Sequence, residues 1–97
     1  MDEARGLAQA LLEKHLASCV SLAPHLESHY WWQGKLETAA EVLLVIKSAE
    51  EQFEALVETI REHHSYECPE IVGVAPQAIS PEYLEWWKKE MAMVGAT

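Results

Sequence analysis

The chain reverses direction at Gln33-Gly34-Lys35, between an aromatic segment, residues 27–32 (ESHYWW), and an apolar run, residues 42–46 (VLLVI). Gly34 suits a tight turn, and the aromatic and β-branched residues on both sides are the types that strands favour. We therefore predict a long β-hairpin with its turn at residues 33–35. The run 42–46 does not alternate with polar residues, which predicts a strand covered on both faces.

A helix and a short strand precede the hairpin. Apolar side chains between Ala4 and Leu16 recur every three or four positions, the period of one helical face, and predict a helix over residues 2–17. Residues 19–24 (CVSLAP) then form an apolar run that ends in a proline, which cannot donate to a ladder. They predict a strand that stops at Pro24.

Two helices and one more strand follow the hairpin. Ser48 and Glu51 have the spacing of a capping box, and the apolar stripe after them predicts a helix over residues 49–63. Residues 71–76 (IVGVAP) predict a last short strand. Ser80 and Pro81 are typical of an N-cap and a first helical residue, so we expect a helix over residues 81–93.

With residues 19–24 and the first arm of the hairpin counted as one strand, the predicted order is helix, strand, strand, helix, strand, helix. With one more strand in front, it becomes βαββαβ followed by a terminal helix, the ferredoxin-like split βαβ plan of the α+β class. We therefore predict a single domain over residues 1–97, a ferredoxin-like sandwich with an extra C-terminal helix. Its first strand is predicted to be missing from this sequence.

Charge and composition exclude several classes of partner. The formal net charge is -9 and the seven Lys and Arg are scattered, so no basic stripe is available to neutralise phosphates, and we expect no nucleic-acid partner. No apolar run approaches the ~20 residues of a membrane span, and no secretion signal is recognisable, so we expect a cytosolic protein without membrane contact. In that compartment the two cysteines are expected to be reduced. A hydrophobic content of 49% in so small a chain predicts association with other subunits.

Five segments, in order, resemble the CutA family of divalent-cation tolerance proteins. They are residues 16–20 (LASCV), 30–37 (YWWQGKLE), 41–47 (EVLLVIK), 64–71 (HSYECPEI) and 83–86 (YLEW). The resemblance covers nearly the whole chain. It implies a ferredoxin-like fold, a cytosolic homotrimer, binding of a divalent metal such as copper(II), a kinship to PII-type signalling proteins, and no demonstrated chemistry.

The sequence departs from the family pattern at three places. Members typically begin with a strand that leads into Pro-Asp, whereas Met1 stands at the position of that proline. We expect an upstream extension or another segment to supply this strand. The other departures are Ser65, where a proline is common, and Cys68, which directly precedes Pro69.

His63 and His64 are the leading candidates for metal binding. Neutral imidazole is a common ligand of copper and zinc, and the resemblance associates the matching histidines with copper. Neighbouring residues of a regular helix point about 100° apart, so both could hold one ion only where the helix has frayed. The alternative is a solvated helix end, where histidine complements the helix dipole.

Cys19 and Cys68 complete the set of candidate ligands. Cys19 matches a family cysteine but lies in an apolar strand, where a thiol more often serves packing. Cys68 is close to His64 in sequence, and a thiolate would suit copper or zinc. Neither cysteine belongs to the spacing of a preformed tetrahedral site.

The function classes that remain are a metal-binding protein and a signalling or scaffold module. In the second, clefts between subunits would bind a small molecule or a protein, as in PII-like proteins. An enzyme using His63, His64 and Glu67 is a third reading, but no serine elbow, P-loop or dinucleotide glycine pattern occurs. We expect a homotrimeric, cytosolic, divalent-cation-binding protein that is not an enzyme.

Overall fold

A computed structural model describes residues 1–63 and 69–95. Its helices and strands are α1 (Asp2–Glu13), β1 (Cys19–Trp32), β2 (Lys35–Lys47), a 3-10 turn (Glu50–Gln52), α2 (Phe53–His63) and α3 (Pro81–Gly95). The α+β class is confirmed. Within these residues the sheet has two antiparallel strands, so the four-stranded ferredoxin-like plan stays a prediction.

The predicted hairpin is confirmed, and it is longer than predicted. Gln33 and Gly34 both have positive φ, 48° and 79°, as a two-residue hairpin turn of type I′ requires. The strand that was predicted to stop at Pro24 continues to Trp32. A bulge between Ala23 and Leu26 takes up the irregular residues, because two residues of β1 there face one residue of β2.

Only one face of the hairpin is covered by helices. Leu44 and Ile46 pack against the hydrophobic core, while Leu43 and Val45 between them are 47% and 48% exposed. The prediction that residues 42–46 are covered on both faces is therefore wrong for the single chain. Leu43 and Val45 are thus about half exposed on the outer face of the strand.

The core lies between helices α1 and α2 and the inner face of the hairpin. Its buried members are Leu7, Leu11, Leu16, Ala17, Leu56 and Ile60. Helix α1 ends at Glu13, four residues before the predicted end, because His15 adopts a left-handed φ of 57° and reverses the chain. The amide of Leu16 then donates to the carbonyl of Leu11 at 3.0 Å, which closes the helix end and returns the chain to the core.

Ser48 connects three elements instead of forming the predicted capping box. Its hydroxyl donates to the carbonyl of Leu16 at 2.6 Å, and its own carbonyl accepts from the indole Nε1 of Trp87 at 2.9 Å. With that hydroxyl engaged, Ala49 becomes the N-cap of a 3-10 turn and α2 begins only at Phe53. The predicted helix over residues 49–63 is therefore divided.

Residues 71–76 do not form the predicted strand. Ile71 packs against the core, but Val72 and Val74 are 73% and 85% exposed and no described strand pairs with this segment. An extended segment needs a neighbouring edge to complete a ladder. The last helix starts at Pro81, as predicted, and runs two residues further, to Gly95.

Candidate metal-binding residues and their surroundings

His63 is the final residue of α2, and its side chain is exposed. The Nδ1 atom lies 2.9 Å from the carbonyl oxygen of Thr59, one turn earlier in the same helix. Because a carbonyl only accepts hydrogen bonds, Nδ1 carries the proton in the neutral ring and Nε2 keeps its lone pair. This is the arrangement in which metal-binding histidines are oriented, with one ring nitrogen held and the other free for the ion.

His64 and Cys68 lie outside the described residues. So do Ser65, which departs from the family pattern, and the acidic Glu67. His63 and Pro69 border that segment. The four candidate ligands therefore comprise two that the structure places, His63 and Cys19, and two that it does not.

Cys19 is the first residue of β1, and its side chain is half-buried as a free thiol. It lies opposite Lys47, the last residue of β2, whose Nζ donates to the cysteine Sγ at 3.7 Å. The Oγ of Ser21 is 3.8 Å from the same sulfur. An ammonium group at this distance repels a cation, so the immediate surroundings of Cys19 are less favourable for a metal than those of His63.

Lys47 is held in place by helix α3. Its Nζ lies 5.7 Å from the ring centre of Tyr83, within range of a cation–π contact. A hydrogen bond to the Tyr83 side chain, and after it the electrostatic attraction of Cys19, raise the pKa of the Lys47 ammonium. Trp86 and Trp87 pack on Tyr83 with ring centres 5.4 and 6.2 Å away. The aromatic residues of α3 thus fix the position of the charge beside Cys19.

The candidate ligands are not brought together by the described part of the chain. Cys19 starts a strand and His63 ends a helix, and no group of three or more His, Cys, Asp or Glu side chains converges within residues 1–63 and 69–95. The placed residues alone therefore supply single ligands and not a closed coordination sphere.

A histidine that the sequence analysis did not select lies on the hairpin. The Nε2 of His29 is 2.8 Å from Glu27, and the Nδ1 is 3.3 Å from the hydroxyl of Thr38 across the ladder. Alternation along β1 puts Glu27 and His29 on one face, and the register pairs His29 with Thr38. This alternation is the sequence signal from which the group of Glu27, His29 and Thr38 could have been found. The group is exposed, and both ring nitrogens of His29 are engaged within it.

The hairpin also exposes large apolar side chains on both faces. Trp31 and its cross-strand partner Leu36 are 71% and 69% exposed, and Tyr30 and Trp32 are exposed on the opposite face. Exposed apolar surface of this kind marks an interaction site. No helix of the described chain combines the length and the apolarity of a membrane span.

Comparisons with known proteins agree on one family. The sequence model of the family described as CutA1 divalent ion tolerance protein matches residues 1–90. Among its relatives, protein CutA 1, chloroplastic, of rice is 39% identical over 90% of this chain. The divalent-cation tolerance protein CutA of Thermus thermophilus is 40% identical over 91% of this chain. The structure of the periplasmic divalent cation tolerance protein CutA of Archaeoglobus fulgidus superposes with a TM-score of 0.88 at 34% identity, covering 94% of this chain and 88% of that one.

The relatives differ in length. This chain spans 49% of the rice protein and 47% of a mouse protein CutA, about half the length of these curated relatives. It spans 85% of the Thermus protein. The matching part is therefore the region common to the long and the short relatives.

Proposed function

The chain belongs to the CutA1 divalent ion tolerance protein family. From this membership we propose that it binds divalent cations, copper(II) before others, as a cytosolic homotrimer in metal tolerance. It has no enzymatic activity of its own in this proposal, in keeping with a sequence that carries none of the common catalytic motifs. Copper(II) is placed first because nitrogen ligands bind it more tightly than the other divalent ions of the first transition row.

The orientation of His63 is the observation that carries the proposal. Its Nδ1 is engaged by the carbonyl of Thr59, so the exposed Nε2 is the free ligand atom at the end of α2. His64 follows directly in the chain, and Cys68 is four residues further on. Both lie outside the described residues, and in the proposal they complete the ligand set that His63 begins. Cys19 binds the ion only if the Lys47 ammonium moves away from the Cys19 sulfur, because the ammonium would otherwise repel the ion.

The overall charge favours the approach of cations. With a formal net charge of -9, the surface raises the local concentration of divalent ions and speeds their encounter with the protein. This effect does not select among metals. Selectivity must come from the imidazole and thiol ligands.

Self-association is supported by the exposed hairpin. Trp31, Leu36, Leu43 and Val45 present apolar surface on both faces of the two strands, and burial of this surface against other copies would stabilise each subunit. A chain of this size has a small core of its own, so assembly would supply part of its stability.

A copper(II) titration of the wild-type protein tests this function. Calorimetry on the purified protein, with light scattering in parallel, should show saturable binding to a particle of about three times the 11.0 kDa chain mass. Zinc and nickel should bind more weakly under the same conditions. A trimer that takes up none of the three ions would contradict the metal function and favour the signalling or scaffold alternative.

A further inference from the structure

Helix α2 carries a second apolar row beside the row that packs into the core. Leu56 and Ile60 are buried core residues. Phe53 and Val57, which are also one turn apart, lie on the neighbouring side of the helix, where Phe53 is 39% exposed and Val57 is half-buried. The chain at Gly73 passes close to the Phe53 ring, since a Cβ atom there would lie 3.4 Å from a ring carbon. The row of Phe53 and Val57 is therefore apolar surface that the core does not use.

A groove with a volume of about 620 Å³ follows this row. Its described wall residues all belong to α2 and are Phe53, Glu54, Val57, Glu58, Arg61 and Glu62. From the first to the last of them the helix rises by about 14 Å. A groove along one helix is open at its side, so it does not enclose a small molecule as a ligand pocket does. Its shape and length suit a rod-like partner such as another helix.

Three glutamates form a row along the groove. Glu54, Glu58 and Glu62 are exposed and follow each other at four-residue spacing, so the Cβ atoms of neighbours are about 6 Å apart on one side of the helix. Glu62 reaches Lys14 of α1 at 3.9 Å, a weak pair because both side chains are exposed. Among the described residues, Glu54 and Glu58 have no ion-pair or hydrogen-bond partner. Arg61 is one positive charge against three carboxylates, so the groove is net negative.

This charge selects among the possible partners. A second copy of the chain carries a net charge of -9 and would meet its own sign at this face. The phosphates of a nucleic acid or of an anionic lipid surface would be repelled for the same reason. A helix with apolar side chains at every third or fourth position, and with lysines or arginines beside them, matches both rows of α2.

We propose that the groove along α2 binds a basic amphipathic helix of a partner protein. The apolar side chains of this helix cover Phe53 and Val57, and its lysines or arginines pair with Glu54 and Glu58. The groove shares no residue with the hairpin or with the candidate metal ligands, so binding does not require metal.

The test measures the binding of two synthetic peptides to the wild-type chain by calorimetry. The first peptide has about 14 residues, close to the shortest length at which a helix forms in water, with leucines at every third or fourth position and lysines beside them. The second has the same residues in an order that spreads the leucines around the helix. Because both peptides carry the same charge, only the pattern differs. The scrambled peptide should bind at least about tenfold more weakly, roughly 1.4 kcal/mol.

Two double substitutions with the same change of charge locate the site. Glu54→Lys/Glu58→Lys reverses the acidic row and should weaken binding of the patterned peptide at least about tenfold. Glu85→Lys/Glu90→Lys, at exposed positions of α3, should leave that binding unchanged. Equal weakening by the two variants would overturn the proposal, because the peptide would then respond to the net charge alone.

Two results on the wild type would also overturn it, and they hold even if a variant fails to fold. Equal binding of the patterned and the scrambled peptides would mean that the apolar row of α2 is not recognised. A patterned peptide that lowers the particle mass in light scattering would show that it displaces another copy of the chain, which would assign the groove to a contact between subunits.

Discussion

The Nδ1 of His63 lies 2.9 Å from the carbonyl oxygen of Thr59, and this contact selects Nε2 as the free ring nitrogen. Both residues belong to α2, so the ring is oriented by the helix itself and needs no other element to hold it. Thr59 is buried, which keeps the accepting carbonyl in a fixed place. A ligand oriented in this way loses little conformational freedom when a metal binds.

Copper(II) binding should weaken as the pH falls. Protons compete with the ion for the imidazole lone pair, so the affinity should drop as the pH is lowered through roughly 7 to 5, the range in which histidine side chains normally become charged. Calorimetry at several pH values, with buffers that do not bind copper, measures the effect. An affinity that is constant over this range would show that imidazole nitrogen is not a ligand.

Assembly should depend on the exposed hairpin. Trp31→Asp puts a charge at the most exposed aromatic position of the hairpin, and we expect dissociated or insoluble protein because the charge would have to be buried between subunits. Lys88→Asp, on an exposed position of α3, is the control and should leave the particle mass unchanged. Light scattering distinguishes the two. An intact trimer of the Trp31→Asp variant would exclude this face from the subunit contact.

Two neighbouring leucines test the position of the core. Leu11 is completely buried and Leu12 is 40% exposed, although both lie in α1. Leu11→Ala should lower the free energy of unfolding by about 2–5 kcal/mol, because it leaves a cavity among the core side chains. Leu12→Ala should cost much less. Urea unfolding of both variants measures the difference, and equal losses would mean that α1 packs with another face inward.

Lys47 should stabilise the fold only while it is charged. Its folded-state pKa is raised, first by Tyr83 and then by Cys19, so its contribution is complete below about pH 10.4, the ordinary lysine value, and is lost as the pH rises through the folded-state pKa. Lys47→Gln should therefore lower the unfolding temperature at pH 7 and have no effect at strongly alkaline pH. Lys35→Gln, at the other end of β2, serves as the control. A Lys47→Gln effect that persists unchanged above the folded-state pKa would show that the charge is not involved.

The sequence correctly predicted the hairpin turn and the start of α3, because short-range interactions determine both. Gly34 supplies a residue that tolerates positive φ, so the turn could be located, and Pro81 fixes the start of α3 because its missing N–H costs nothing at the first helical position. Ser48 shows where such signals fail. Its hydroxyl could cap a helix or bond to the carbonyl of Leu16, and the distant partner is the one it uses.

The contacts of Cys19 depend on a β-bulge, which the residue pattern along the strand does not reveal. Counted from the turn alone, Val20 would lie opposite Lys47; the bulge between Ala23 and Leu26 shifts the register by one and brings Cys19 there instead. The candidate histidines could be predicted from residue type and family resemblance. The orientation of the His63 ring could not, because it depends on a rotamer that sequence does not specify.

Copper(II) calorimetry on the wild type and on the His63→Ala/His64→Ala variant, at pH 7, tests the metal site most directly. His29→Ala is the matched control, since His29 is an exposed histidine engaged by Glu27 and Thr38 on the hairpin. We predict that the double variant binds copper(II) at least about tenfold more weakly, or roughly 1.4 kcal/mol, with an unchanged oligomer, and that the control binds as the wild type does. Equal affinities of the wild type and the double variant would contradict a metal site at the end of α2.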